Sequence, residues 1–107
     1  MNGGNLDLVS SWIEARASTF ADHGLIQLRN SRIIEPEKLS VWYESTHYLV
    51  DVCAWEHEAS LDIDIMSKRS RSIVFVAWGP CEDKAGLAQR LESLSVWLAE
   101  HLDKPVA

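Results

Sequence analysis

Apolar and polar residues alternate strictly from Leu61 to Ile65, where Leu61, Ile63 and Ile65 are separated by Asp62 and Asp64. A period of two is the signature of a strand with one buried face, because successive side chains point to opposite sides. The run just before it obeys the same rule. Tyr48, Val50, Val52 and Ala54 form one set, and Leu49, Asp51, Cys53 and Trp55 the other. A short polar turn with Glu56, His57 and Glu58 at its tip joins the two, so Tyr48 to Met66 reads as a β-hairpin. If the apolar sets share the core face, Asp51, Trp55, Asp62 and Asp64 share the wet one.

The pattern changes at both ends of the chain. Val9, Trp12, Ile13, Ala17 and Phe20 recur at spacings of three and four, which predicts an amphipathic helix. Asn5 or Asp7 is the expected cap, and the helix runs to about His23 before stopping at Gly24. Towards the other end, Leu87, Leu91, Leu94, Leu98 and Leu102 form a second helical stripe, from Asp83 as cap to about Leu102. Glu82 beside the cap favours the positive end of that helix.

Between the helices, three further strands are expected. Leu25 to Arg32 carries Ile26 and Leu28 in alternation. After the break at Glu35-Pro36-Glu37, Leu39 to Ser45 is rich in β-branched and aromatic residues. Ser72 to Trp78 is apolar on both faces, as in a central strand or one whose outer face meets a partner or another layer, and Gly79-Pro80 ends it. Short connections favour antiparallel pairing, and both helical stripes need one sheet to cover. The expected fold is therefore α+β. It is a single two-layer domain over 1–107, with a four- to five-stranded antiparallel sheet and the N- and C-terminal helices packed on one face.

Composition fits a chain that builds its own core: 107 residues, 47% hydrophobic and 24% charged. Two cysteines are too few for a disulfide framework. The opening MNGGNLDL lacks the basic start and apolar run of a secretory signal, and no apolar stretch approaches a membrane span of about 18 residues. A cytoplasmic setting is expected.

Charge adds direction. The net charge is −6, and from Leu39 to Ser67 there are six acids (Glu44, Asp51, Glu56, Glu58, Asp62, Asp64) with no Lys or Arg. Such a field repels nucleic acid and anionic lipid and attracts a basic protein surface. Five Trp, against two Tyr and two Phe, is a second bias, and Trp is enriched at the energetic centres of interfaces. Alternation places Trp42 and Glu44 on the same open face as Asp51, Trp55, Asp62 and Asp64, with apolar residues of Ile73 to Trp78 between them. An apolar centre with a charged rim is how a specific interface is built. The plainer alternative is that the tryptophans cover the sheet while the carboxylates keep it soluble.

Other chemistry has weaker support. His57 with Glu56, Glu58, Cys53 or His47 offers mostly local neighbours, without the spaced pattern of a metal site, and reads as a solvated hairpin tip. Asp62 and Asp64 alternate as paired carboxylates could, but an open sheet gives them nothing to divide acid and base roles. There is no phosphate loop, no nucleophile elbow and no Cys/His pair in a recognisable context. No enzyme activity, cofactor or metal is expected.

The run SVWYES…YLVDVCAWEHEASLDIDIM resembles the small bacterial immunity proteins of the TriTu type. The likeness rests on the Trp55-Glu56 pair ending one strand, a tight turn, and the acid-alternating strand Asp62, Ile63, Asp64, Ile65. It extends to the first helix ending in Gly24 and to the leucine-rich last helix. Where that family carries a glycine in the turn, this chain has Ala59 and Ser60 after His57 and Glu58. The resemblance implies a non-enzymatic inhibitor, a monomer or weak dimer. It would bind and occlude an ADP-ribosyltransferase toxin that modifies the translation factor EF-Tu. The resemblance carries over Trp55, Glu56, Asp62 and Asp64 as contacts; the acidic, Trp-bearing stretch adds Trp42, Glu44, Asp51 and Glu58, and suits a toxin domain that is basic at its active-site rim. A second expectation from size and acidity is a secretion chaperone that wraps an extended segment of an effector.

Overall fold

The computed structural model describes residues 4–34, 37–56, 60–81 and 83–102. The hairpin tip His57, Glu58 and Ala59, the break at Glu35-Pro36, Glu82 and the tail from Asp103 lie outside them. Seven elements follow one another: α1 (Asn5–Asp22), β1 (Ile26–Ile34), β2 (Glu37–Glu44), β3 (Tyr48–Trp55), β4 (Ser60–Ser67), β5 (Ile73–Ala77) and α2 (Lys84–His101). The strands form one antiparallel meander in sequence order, β1-β2-β3-β4-β5. Both helices pack on one face, touching each other as well as β3 and β4. This is the α+β architecture read from the alternation.

The hairpin register explains why the alternation was so clean. Val52 lies opposite Ile63 and Val50 opposite Ile65, so both apolar sets enter the layer beneath the helices. Leu39, Val41 and Tyr43 of β2 join them, and all of these side chains are buried. From α2, Leu87, Leu91, Leu94, Leu98 and Leu102 complete the core as the stripe predicts. Asp83 caps that helix, its carboxylate accepting from the Gly86 N–H at 2.9 Å. Gly24 follows α1 at φ +81°, a conformation that costs other residues, and Leu25 N–H returns to the Phe20 carbonyl at 2.9 Å.

Four expectations need correction. The stripe of α1 is rotated: Leu6 is buried with Val9, Ile13 and Phe20, whereas Ala17 is exposed. A methyl group has too little area to decide which way a helix turns when larger residues compete. Neither Asn5 nor Asp7 caps α1. The cap position is Gly4 and has no side-chain acceptor of its own. Glu56, from the end of β3, supplies it instead: its carboxylate accepts from the N–H groups of Asn5 (2.9 Å) and Leu6 (3.3 Å), while Asn5 Nδ2 donates to the Glu56 carbonyl at 2.6 Å. Gly4 permits this approach, since a Cβ there would collide with the Glu56 carboxylate.

The strands account for the other two. β1 runs from Ile26 to Ile34 rather than from Leu25 to Arg32, and Ile26 and Leu28 both face solvent. The register slips between Gln27 and Arg29, which places Leu28 in a bulge. Ser72 to Trp78 is not central. β5 pairs with β4 alone, and Phe75 and Ala77 turn inward while Ile73, Val74 and Val76 stay exposed. An apolar run this short does not distinguish a central strand from an edge whose outer face is bare.

Candidate functional site

Among the described residues, no element covers the face opposite the helices. Cross-strand neighbours share a side of the sheet, so the register defines this face directly. Trp42 is opposite Asp51, Asp51 opposite Asp64, and Asp64 opposite Val76, giving a row across four strands. A parallel row holds Lys38, Trp55 and Ser60, and a third holds Glu44, Leu49, Met66 and Ile73. Trp42, Glu44, Asp51, Trp55, Asp62 and Asp64 thus stand on one surface. Glu56 is engaged at the α1 terminus, and Glu58 lies outside the described residues.

The surface is not uniformly acidic. Arg29, opposite Trp42 on β1, holds its guanidinium 5.0 Å from the indole centroid, and Lys38 sits 5.1 Å from that of Trp55. Lys68, from the turn after β4, makes an ion pair with Glu44. Cations therefore flank the β1–β2 side, and the acid is concentrated on β3 and β4 as Asp51, Asp62 and Asp64. The acid-only stretch from Leu39 to Ser67 is bordered by Lys38 and Lys68 themselves, and Arg29 joins them from β1.

The tryptophans also divide. Trp12 packs edge-on against Phe20 with centroids 5.8 Å apart. Trp97 meets Tyr48 at 5.0 Å and stacks on His101 at 4.1 Å, within the helix layer. Trp42 and Trp55 remain for the open face, and Trp78 is 64% exposed just beyond β5. Sequence count alone could not sort them, since Trp suits both a core and an interface.

Asp62 has a structural task besides. Its carboxylate accepts from the Gly79 N–H at 2.8 Å, and Arg90 of α2 donates to the Gly79 carbonyl at 2.6 Å and the Leu61 carbonyl at 2.8 Å. With φ +93°, Gly79 makes the turn that sends the chain from β5 back over the sheet.

Asp51 and Asp64 are held differently, with the Trp42 side chain hydrogen-bonded to Asp51. Both line a groove of about 220 Å³ together with Leu28, Trp42, Leu49, Met66 and Ile73. Burial raises the pKa of Asp51 first, and the charge of Asp64 raises it further; the Trp42 side chain and Lys38 offset part of this. Asp64 is raised by burial and then by the charge of Asp62. One Asp51 oxygen, Oδ1, is buried without a hydrogen-bond partner. Two carboxylates directly opposite on adjacent strands repel, at a cost of about 0.2–1 kcal/mol.

A pH dependence follows. Because both folded pKa values are raised, the native state holds more protons than the unfolded chain. The contribution of this pair to stability therefore falls as pH rises from the ordinary aspartate value, about 3.9, through the raised folded values. Asp64→Asn is expected to stabilise the fold by about 0.2–1 kcal/mol near pH 7, with the gain shrinking towards about pH 4. Urea unfolding at the two pH values measures it, and a gain independent of pH would contradict the electrostatic origin.

Among the described residues, no three His, Cys, Asp or Glu side chains are grouped to hold a metal ion, and no helix is long and apolar enough to cross a membrane. Cys53 is half-buried on the open face, its Sγ 3.3 Å from Ser40 Oγ. Set against family models, curated proteins and solved structures, the chain matches none of them.

Proposed function

We propose that this chain is an immunity protein: it binds a cognate antibacterial toxin domain through the open sheet face and occludes the toxin's active site. The observation that carries the reading is the joining, on one uncovered surface, of exposed apolar residues with a carboxylate centre. Ile26, Leu28, Trp42, Ile73 and Val76 are each 43–63% exposed there or at its margin, around Asp51 and Asp64. Contiguous apolar area of this kind is unusual on a monomer's surface and marks interaction sites. Trp42 and Trp55 supply anchors that slow dissociation, and the acids of β3 and β4 steer a basic partner and reject acidic ones.

The resemblance to TriTu-type proteins narrows the partner to an ADP-ribosyltransferase acting on EF-Tu, in the cytoplasm where that substrate resides. A basic rim around such an active site suits the acidic centre of this face. The test is co-expression with the toxin domain encoded by the adjacent upstream gene. The native chain is expected to restore growth and to form a complex measurable by calorimetry, with association slowing as salt is raised. An upstream neighbour without a toxin domain, or growth arrest that the native chain leaves unrelieved, overturns the assignment.

A further inference from the structure

We propose that the groove over Asp51 and Asp64 is a socket for one arginine side chain presented by a protein partner. The inference rests on the open face being a binding surface and names the chemistry of its centre.

The groove is too small for a typical ligand. At about 220 Å³ it falls below the roughly 300–1,000 Å³ of small-molecule sites, so its occupant is of side-chain size. Its lining is mostly aliphatic and aromatic, Leu28, Leu49, Met66, Ile73 and Trp42 among it, with Asp51 and Asp64 as the charged members. That division matches a side chain with an apolar stem and a cationic head.

The carboxylate pair calls for a cation. Asp51 and Asp64 face each other across β3 and β4, and Asp51 Oδ1 is buried and unpartnered. Among the described residues, Lys38 offsets only part of the charge at Asp51. Lys68 is paired with Glu44, Lys38 lies over Trp55, and Arg29 lies over Trp42 without an ion pair to either aspartate among the described residues. A cation that reaches both carboxylates relieves their repulsion.

Arginine fits better than lysine for two reasons. Its planar fork presents several N–H donors at fixed angles, so it can bridge carboxylates on neighbouring strands, whereas an ammonium is a compact point charge. The guanidinium is also more weakly hydrated, which lowers the cost of entering an apolar-walled site, and it stacks on aromatic faces. Trp42 already shows that affinity on its Arg29 side.

The test is an NMR titration of the ¹⁵N-labelled full chain with acetyl-Gly-Arg-Gly-amide, the matched citrulline peptide and the matched lysine peptide. The arginine peptide, at about 10 mM, ten times a millimolar dissociation constant, is expected to shift the Trp42 indole N–H and the Asp51 and Asp64 amides. Citrulline, equal in shape but uncharged, should bind at least about tenfold more weakly, a difference of one charge-assisted contact. The lysine peptide should fall between them. The double variant Asp51→Asn/Asp64→Asn should lose the preference for arginine over citrulline while keeping its dispersed spectrum. Equal binding of arginine and citrulline, equal binding of arginine and lysine, or no shift at the groove overturns the proposal. Trp55 stands apart from the groove. If the arginine peptide fails while Trp55→Ala still weakens the toxin complex, the socket falls and the binding face stands. If the peptide binds as described but co-expression fails to restore growth, the socket stands and the toxin assignment falls.

Discussion

Glu56→Ala is expected to destabilise the protein by about 2–3 kcal/mol, although it removes no atom from the hydrophobic core. Two half-buried N–H groups at the start of α1, those of Asn5 and Leu6, lose a carboxylate acceptor. Hydrogen bonds to a charged group contribute about 1.5–3 kcal/mol, and a lost N-cap typically costs about 1 kcal/mol. The negative charge also sits at the positive end of the helix dipole. The remaining bond from Asn5 Nδ2 to the residue-56 carbonyl survives in the variant, which limits the loss. Urea unfolding measures the total, and hydrogen exchange shows where it acts: the first turn of α1 should lose protection before β3 and β4 do. Glu56→Gln keeps one oxygen acceptor without the charge and should fall between the two. A variant as stable as the native chain would mean that the contact across 51 residues contributes little.

If the open face binds a toxin as proposed, Trp42→Ala combined with Trp55→Ala is expected to weaken that complex by about 4 kcal/mol, close to a thousandfold. Each ring is an aromatic anchor of the kind whose truncation costs about 2 kcal/mol or more at the centre of an interface. Lys38, opposite Trp55, and Trp42 are four positions apart on β2, roughly 13 Å at about 3.3 Å per residue, so the two losses should be nearly additive. Both side chains lie on the uncovered side, and the buried layer of Val41, Val52 and Ile63 is untouched. Calorimetry of the double variant and of each single variant checks the sum. Unchanged affinity with an intact fold would move the contact surface elsewhere, to an edge strand or to the outer side of a helix. Asp62 is a poor choice for such a test, because its carboxylate also holds the Gly79 turn.

Most of the architecture was legible because its signals are local. Period-two alternation in Tyr48–Trp55 and Leu61–Ile65 states which side chains share a face. The leucine spacing of α2 states which way that helix turns. Asp83 caps a helix that begins at the next residue, so cap and helix are read together. The rotation of α1 was less legible, since Leu6 and Ala17 trade places only when the helix meets the sheet. The site was legible in part. Placing Trp42, Glu44, Asp51, Trp55, Asp62 and Asp64 on one face needed alternation alone, whereas their surroundings needed the neighbouring strands.

The sequence by itself determined the elements and the two-sidedness of the sheet, because both follow from the backbone's own period and the solvation of each side chain. Tertiary structure decided what depends on residues far apart in the chain. It put Ile73–Ala77 at an edge, drew Glu56 to the start of α1, and took Trp12 and Trp97 into the helix layer. It also brought Leu28 from β1 and Ile73 from β5 to line one groove with the aspartates of β3 and β4. Contacts between strands carry no periodic trace in the chain, so the groove exists only once the sheet is assembled.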